Sequence, residues 1–415
     1  MAPESTKNPV ENTQDAVNGG ILKKTRELRQ KTKKDWLIFL IIGITAFVVG
    51  TGCIIYILLR PQVETEALKY PVVPSKTSSS ETYSDLTGLP LSDASLKNSP
   101  IYCMQVPNGT DGARPQAGLD EAGVIFEAIA EAGITRFAAI FQNPTSAVMG
   151  PIRSLRLYYL EWDTPFDCTI VHAGGADDAL NAVSSGGYSD LSENYNYMYR
   201  GTYGTRLWNN LFTNPTNLAR FSNDSGKTSS NAQGFTRMTP EESNKSRIDN
   251  LVAEKLSITT PTDKNTSELA PKVTNINLNF GSSAIFNVNY EYDADSNTYR
   301  RNYGIGPHQI YTCPDEDLGE RNPEDVCELT TMSPSTIVAI VVSERRASDN
   351  YHEDITTIGS GDAYIFQNGT AVQGKWSKQS RNDQIKFTDS EGNEIKLAPG
   401  QTFVSAIPNY GSVEY

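Results

Sequence analysis

Histidine is scarce in this chain, and the short motifs of common hydrolases are missing. Only three histidines, His172, His308 and His352, occur among 415 residues, which argues against a metal site built from histidine. Neither the G-x-S-x-G nucleophile elbow nor the H-E-x-x-H zinc motif is present. We therefore expect no resident metal ion and no cofactor.

Basic residues are also few outside the first 60 positions. The whole chain has 36 Lys or Arg against 49 Asp or Glu, a formal net charge of −13. The first 60 residues carry nine basic and five acidic side chains, so residues 61–415 have a net charge of −17. Nucleic-acid binding depends on basic side chains that neutralise phosphates. A nucleic acid is therefore not expected as a partner.

One long apolar run, residues 36–59, contains no charged side chain. As a helix it would rise about 36 Å, enough to cross a hydrocarbon core of about 30 Å. Seven basic residues lie between positions 23 and 34, whereas Arg60 stands almost alone after the run. This asymmetry predicts a single-pass protein of the cell membrane with a cytoplasmic N-terminus and extracytoplasmic C-terminal domains. A cleaved signal segment with Cys53 as an acylation site is the alternative, but the length of the run favours an uncleaved helix.

Composition divides the chain into five sections. Residues 1–35 are predicted as a basic cytoplasmic tail, 36–59 as the transmembrane helix and 60–99, rich in Ser, Thr and Pro, as a flexible tether. Residues 100–260 have the strand, glycine and helix order of an α/β domain. Residues 271–415 consist of short alternating segments separated by turns, typical of a β-rich antiparallel domain. The predicted fold class is therefore mixed α and β, with two ectodomains.

Local patterns in the first ectodomain predict a hairpin and a strand–helix unit. Two apolar runs, 124–130 and 134–142, are separated by a turn at Ala132 and Gly133, which favours a hairpin over a helix that ends at Gly133. Further along, residues 166–172 are predicted as a strand and residues 177–183 as a helix.

The cysteines Cys313 and Cys327 flank an acidic segment that contains two prolines. An oxidising extracytoplasmic compartment favours a disulfide between them. A zinc site would need two more ligands, and only His308 is close in sequence, so we favour the disulfide.

Three charged residues of the hairpin are the first candidates for chemistry. Since strand side chains alternate, Glu127, Glu131 and Arg136 are expected to lie on one face. The two carboxylates are candidate catalytic bases, and Arg136 is a candidate ligand-binding residue. A structural ion pair on a partly solvated sheet face explains the same residues, and we favour that interpretation.

A second group follows the turn at Gly150 and Pro151, where Arg153, Ser154 and Arg156 are candidates for ligand binding. Paired guanidinium groups can hold a carboxylate or phosphate through forked hydrogen bonds. A helix starting after Pro151 would add its free N–H groups. An ectodomain this acidic offers many carboxylates as internal partners for these arginines. The ligand-binding and structural interpretations therefore both stand.

A third group lies where the predicted strand ends and the predicted helix begins. Ligand sites of α/β proteins occur at such strand ends, which makes His172, Gly174 and Gly175 candidates for ligand binding and His172 a further catalytic candidate. The glycine doublet alone is weak evidence, because it lacks both the dinucleotide-binding spacing and the Lys-Ser/Thr of a P-loop.

Many short motifs in one order resemble the YerB-like family of bacterial envelope lipoproteins. They are Ala113-Arg114-Pro115-Gln116, Phe126-Glu127, Gly133-Ile134-Thr135-Arg136-Phe137, Gly150-Pro151-Ile152-Arg153-Ser154 with Arg156, His172-Ala173-Gly174-Gly175, Tyr292-Asp293 with Tyr299 and Arg301, Pro307-His308, Gly361-Asp362-Ala363, Gly369, Lys375-Trp376 and Pro399-Gly400-Gln401-Thr402-Phe403. The resemblance covers residues 100–410. It implies a two-domain extracytoplasmic protein of a bacterium and carries over no catalytic residue.

Two features depart from that family. Its Pro-His-Asn-Leu motif is Pro215-Thr216-Asn217-Leu218 here, so a mechanism that uses a histidine at this place does not apply, and Asn217 stays a ligand-binding candidate. Family members are typically anchored by a lipid on a cysteine, whereas Val49-Gly50-Thr51-Gly52-Cys53 is a poor lipobox.

Two functions are compatible with these patterns. The first is a non-catalytic binding or scaffolding module that recognises an anionic group of a cell-wall polymer or an envelope protein. The second is an envelope hydrolase or transferase in which Glu127 or Glu131 acts as base and Arg136, Arg153 or Arg156 holds the substrate. The second requires these side chains to converge in one cleft with a perturbed carboxylate pKa. The missing catalytic motifs favour the first.

Overall fold

Strands dominate the residues that a computed structural model of the protein describes, which are 81–201, 208–259 and 273–415, without the side chains of 251–259. The strands are β1 Ile101–Pro107, β2 Gln116–Ala117, β3 Val124–Glu131, β4 Ile134–Gln142, β5 Thr169–Val171, β6 Asp190–Leu191, β7 Tyr199–Arg200, β8 Leu211–Phe212, β9 Asn275–Asn279, β10 Val288–Asp293, β11 Thr298–Tyr303, β12 Gly306–Pro307, β13 Gln309–Thr312, β14 Glu328–Thr331, β15 Thr336–Val342, β16 Glu344–Arg346, β17 Glu353–Ile355, β18 Gly359–Gln367, β19 Thr370–Lys378, β20 Lys386–Thr388, β21 Thr402–Pro408 and β22 Ser412–Glu414. The α-helices are α1 Leu157–Asp163, α2 Asp177–Gly186, α3 Pro215–Ser225, α4 Pro240–Thr259 and α5 Pro323–Val326.

The predicted hairpin is confirmed and lies at the centre of the largest sheet. Strands β3 and β4 pair antiparallel around Ala132 and Gly133, whose φ angles are +50° and +77°. Positive φ at both turn residues gives a tight turn whose twist matches that of the flanking strands. Strand β1 continues beside β4, and β21, from the far end of the chain, lies parallel to β3.

The large sheet has ten strands in the order β20-β19-β18-β15-β21-β3-β4-β1-β5-β6. Each of the two segments predicted as ectodomains supplies five of them, and the described residues belong to a single compact unit. The β-rich character predicted for residues 271–415 is confirmed. Its pairing is not purely antiparallel, because β21 lies parallel to both β15 and β3, which the long connections before it allow. The predicted segment boundary between residues 260 and 271 lies outside the described residues.

Side-chain alternation gives this sheet two apolar faces. On one face, Ile125, Ile129 and Phe137 join a core with the antiparallel sheet β12-β11-β10-β9-β22. On the other face, Phe126 packs under helix α1, where the ring of Trp162 stacks on it with a centroid distance of 5.3 Å. The remaining strands form the small sheets β14-β13-β2, β16-β17 and β7-β8. We call the two sides of the large sheet the sheet-covered face and the helix-covered face.

The tether predicted over residues 60–99 is wrong for its last part, because residues 81–99 fold against the domain. Leu86 is buried, and the guanidinium of Arg237 donates to its carbonyl. A 3-10 segment, Ala94–Asn98, follows and is capped by the side chain of Asp93. One buried leucine and a few backbone hydrogen bonds hold the segment on the domain. The overall polar composition of residues 60–99 does not reveal these few contacts.

Two disulfides cross-link the domain. The bond Cys313–Cys327 confirms the prediction. A second bond, Cys103–Cys168, joins β1 to the residue before β5, and these strands lie side by side in parallel. The sequence separation of 65 residues leaves no local pattern for this pair. Its only signal is that four cysteines, an even number, lie outside the apolar run.

Among the helices of the described residues, none is both long and apolar enough to cross a bilayer. The predicted tail 1–35, the predicted membrane helix 36–59 and the first part of the tether lie outside those residues and stay predictions.

Candidate functional site

Glu127 lies on the sheet-covered face and is fully buried. Its Oε2 accepts a hydrogen bond from Arg301 at 2.7 Å, and its Oε1 accepts one from Thr135 at 3.0 Å. Neither Glu127 nor Arg301 has any exposed side-chain surface. A carboxylate held in this way does not meet a substrate, so its role is structural.

Arg301 is the centre of a buried polar network between the two large sheets. Its Nε donates to the hydroxyl of Tyr290 at 3.1 Å, and its Nη1 donates to Nδ1 of His308 at 2.6 Å. Burial, followed by the charges of Arg301 and Arg114, holds the pKa of His308 well below its usual range. The neutral ring therefore carries its proton on Nε2, which faces Oε1 of Gln116 at 3.1 Å.

Glu131 points away from Glu127, contrary to the prediction that Glu127, Glu131 and Arg136 share one face. A β-bulge between Ile129 and Glu131 shifts the strand register. One extra residue in a strand reverses the alternation of the side chains beyond it. Glu131 therefore meets Arg136 on the helix-covered face.

Glu131 bridges two arginines. Its Oε1 accepts from Arg136 at 2.6 Å and its Oε2 from Arg156 at 2.5 Å. Burial alone would raise the pKa of Glu131, but the two guanidinium groups outweigh it and hold that pKa below its usual range. A general base works best with a pKa near the operating pH, so the catalytic hypothesis gains no support here. The trio keeps a formal charge of +1, and Arg136 also donates to the carbonyl of Ser154 at 2.7 Å.

The arginine segment and the glycine turn lie side by side. Leu155 and Gly175 form a parallel bridge, and the N–H of Ala176 donates to the carbonyl of Leu155 at 3.1 Å. The bridge belongs to extended chain, and helix α1 begins only at Leu157. No helix therefore starts directly after Pro151, and the free N–H groups that such a helix would have added are not available there. Arg156 is itself the N-cap residue of α1, and the bridge also brings the start of α2 close to it.

Helix α2 begins without a side-chain cap, since its N-cap residue is Ala176. The first N–H groups of a helix have no intrahelical acceptor and carry partial positive charge. Asp177 and Asp178 occupy the first turn, and the Asp178 carboxylate accepts from the N–H of Ala179 at 2.7 Å. The N–H groups of Asp177 and Asp178 themselves have no acceptor in the described part of the chain and can bind a ligand or solvent.

His172 positions the glycine turn. Its Nδ1 lies 2.7 Å from the carbonyl oxygen of Gly174, and its Nε2 lies 2.8 Å from Asp190. Gly174 adopts a φ of +66°, which favours glycine. Because the ring is buried and both its nitrogens are engaged, His172 is a positioning residue and not a free acid–base group.

A cleft of about 750 Å³ separates the start of α2 from the hairpin β16–β17. Its charged or polar lining includes Arg156, Glu161, Asp177 and Asp178 on one side and Arg345, Asp349, His352, Glu353 and Asp354 on the other. Arg156 is only 5% exposed, and its Nε–H finds no acceptor among the described residues. The cleft therefore combines an uncapped helix start with a buried guanidinium that has an unused donor.

Gly175 is the other predicted ligand-binding residue that lines this cleft, whereas Arg136, Arg153, Ser154, His172, Gly174 and Asn217 do not. Arg153 is half-buried and makes no ion pair within the described ranges. Asn217 is in the first turn of α3, where its N–H donates to the capping side chain of Asn214 at 2.8 Å. In the same described residues, no group of three or more His, Cys, Asp or Glu could hold a metal ion.

Sequence reasoning missed the far wall of the cleft. His352 forms a backbone bridge with Glu131, and its Nδ1 lies 2.5 Å from Asp349. In the same hairpin, burial raises the pKa of Glu344 to about 7, although the hydroxyl of Tyr410 donates to its carboxylate at 2.7 Å. The density of charges between residues 344 and 354 was the only available signal, and it does not indicate which distant residues the hairpin meets.

Comparisons with known proteins agree with this fold. Models of a protein of unknown function (DUF3048) match the chain in two parts, the N-terminal domain over residues 86–228 and the C-terminal domain over residues 276–404. A protein named "Putative lipoprotein YerB" from Bacillus subtilis (strain 168) is 26% identical over 327 residues, which cover 78% of this chain and 86% of that protein. This chain belongs to the YerB-like family. The crystal structure of YerB protein from Bacillus subtilis superposes with a TM-score of 0.62 at 21% identity, over 81% of this chain and 100% of that chain, and supports the fold alone.

Several motifs that carry the YerB-like resemblance meet in the network around Arg301. Gln116 and Glu127 come from the N-terminal family domain, and Arg301 and His308 come from the C-terminal one. These motifs therefore join the two family domains of this YerB-like chain across its sheets, and their role is structural.

Proposed function

We propose that this YerB-like chain is a non-catalytic binding module of the cell envelope, and that its cleft receives an anionic group of a wall polymer or an envelope protein. One observation carries the proposal. Arg156, buried and with an unused Nε–H, lines the same cleft as the uncapped start of helix α2.

Three features of the cleft favour an anion at this place. The N–H groups of the first turn and the helix dipole attract negative charge, which contributes about 0.3–1 kcal/mol at exposed helix ends. Hydrogen bonds from a guanidinium to an anion add about 1.5–3 kcal/mol. The trio of Glu131, Arg136 and Arg156 keeps a net positive charge, so an anion that approaches Arg156 from the cleft is not repelled by the partners of this arginine.

The alternative, an envelope hydrolase or transferase, has less support. Glu127 is sealed in its pair with Arg301, and the arginines lower the pKa of Glu131 rather than raise it. Arg153 does not line the cleft. Glu131 does meet Arg136 and Arg156, but as the shared acceptor of their ion pairs, and Glu127 lies on the opposite face of the sheet.

The proposal places the domain outside the cytoplasmic membrane, anchored by residues 36–59 as one uncleaved helix with a cytoplasmic N-terminus. The name of the Bacillus relative suggests a lipid on Cys53 as the alternative anchor. Peptide mass spectrometry of the membrane-extracted protein separates the two. A peptide from residues 1–22 supports the helix, whereas a lipid-modified Cys53 at the new N-terminus contradicts it.

The binding test uses residues 78–415 and sedimentation with purified cell-wall fragments. The variant Ala176→Asp places a capping carboxylate on α2, which should stabilise the helix by about 1 kcal/mol while it occupies the anion position. We expect its retention to fall about tenfold, the effect of losing about 1.4 kcal/mol of binding.

The matched control is Ser283→Asp, which adds the same charge at an exposed position outside the cleft. It should be retained like the unchanged domain. Equal retention of both variants, or no retention of the unchanged domain, would refute the proposal.

A further inference from the structure

The acidic side chains of the cleft fall into two groups. Four of them have partners: Glu161 meets Arg381, Asp349 meets His352, Glu353 meets Arg346, and Asp354 meets Arg345. Asp177 and Asp178 are exposed and have no cationic partner among the residues that the structure describes. Two carboxylates without a cationic side chain as partner in the described part of the chain therefore stand beside the proposed anion position.

These carboxylates restrict which anion the cleft accepts. The lining contains six carboxylates against two arginines and one histidine, so a ligand with only negative charge meets a repulsive rim on its way to Arg156. A ligand that carries a positive charge close to its anionic group meets complementary charges at both places.

We infer that the cleft takes a zwitterionic amino-acid or peptide group. Its carboxylate binds Arg156 and the first N–H groups of α2, and its ammonium lies between Asp177 and Asp178. This inference rests on the proposed anion site and names the class of its ligand.

The backbone places these groups at a suitable separation. The bridge from Leu155 to Gly175 sets Arg156 opposite Ala176, at the spacing of neighbouring strands, about 5 Å. Asp177 and Asp178 follow directly in the chain. One or two extended residues span about 3.5–7 Å, which is enough for a single ligand to contact both the cation and the carboxylates.

The test is a calorimetric titration of residues 78–415 with three probes: glycylglycine, N-acetylglycylglycine and glycylglycine amide. The first carries both charges, and each of the others lacks one. We expect glycylglycine to bind about tenfold more tightly than either derivative, because each derivative has lost one of the two well-formed ion pairs. Wall fragments before and after N-acetylation identify the source, and loss of retention on acetylation assigns the amine to the wall.

Paired variants separate the two ends of the ligand. In the double variant Asp177→Asn, Asp178→Asn, the affinity ratio of glycylglycine to its acetylated form should fall from about ten to about one. The control Asp315→Asn, Glu316→Gln changes two adjacent exposed carboxylates outside the cleft and should keep the ratio.

Each outcome separates the inference from the proposed function. If acetylated and free probes bind equally and Ala176→Asp still abolishes wall retention, the anion site stands and the zwitterion inference is wrong. If no probe binds, the inference is wrong. If no probe binds and the Ala176→Asp variant is still retained by the wall fragments, both the inference and the proposed function are wrong.

Discussion

Replacing Glu127 by glutamine tests the structural role of this buried carboxylate. The substitution keeps the size of the side chain and leaves the Arg301 guanidinium without a counter-ion at a place with no exposed surface. The other hydrogen-bond partners of Arg301 include the hydroxyl of Tyr290 and the neutral ring of His308, neither of which carries negative charge. Removal of one member of a buried ion pair costs about 3–5 kcal/mol, and we expect a loss in this range.

The assay is urea unfolding of residues 78–415 at pH 7, followed by far-ultraviolet circular dichroism. Arg301→Met should also destabilise, and the double variant should lose less than the sum of the two single losses, because neither charge is left alone. The control Glu328→Gln changes an exposed carboxylate and should stay within about 0.5 kcal/mol. A loss below about 1 kcal/mol for Glu127→Gln, or lost wall retention at unchanged stability, would refute the structural role.

Three further predictions concern stability. Burial raises the pKa of Glu344 from 4.5 to about 7. The protonated carboxyl therefore contributes fully to the free energy of unfolding below pH 4.5, and this contribution is lost as the pH rises through 7. Glu344→Gln should remove this loss of stability, about 3 kcal/mol at most, from unfolding curves measured between pH 5 and 8. Replacing Cys103 and Cys168 by serine should cost about 4 kcal/mol on the chain-entropy model, and an unchanged urea midpoint would contradict the cross-link. Leu86→Ala should cost about 2–5 kcal/mol, whereas exposed Leu89→Ala should cost far less; equal costs would show that residues 81–99 are not folded on the domain.

Local patterns were enough to predict much of the strand content. The hairpin from β3 to β4 and the order of β5, glycine turn and α2 follow from alternation, turn residues and a helix-compatible segment. Most strands after residue 271 were recognisable for the same reason, because period-two alternation is a property of neighbouring residues.

What depended on distant contacts could not be predicted. The bulge before Glu131 changes the side-chain direction by one residue and has no marker in the sequence. The parallel insertion of β21 between β15 and β3 is a property of the whole sheet. For the site, the arginine and glycine motifs were found separately, but only the bridge from Leu155 to Gly175 shows that they adjoin, and the wall around His352 comes from a hairpin about 180 residues later in the chain.

The most direct measurement of the central claim is a nuclear magnetic resonance titration of isotope-labelled residues 78–415 with solubilised wall fragments. Binding at the proposed site should shift the backbone amide signals of Ala176, Asp177 and Asp178 and the Nε–H signal of Arg156, with little change at the buried Nε–H of Arg301. Shifts that avoid the start of α2 and Arg156, while the fragments still bind, would contradict the account.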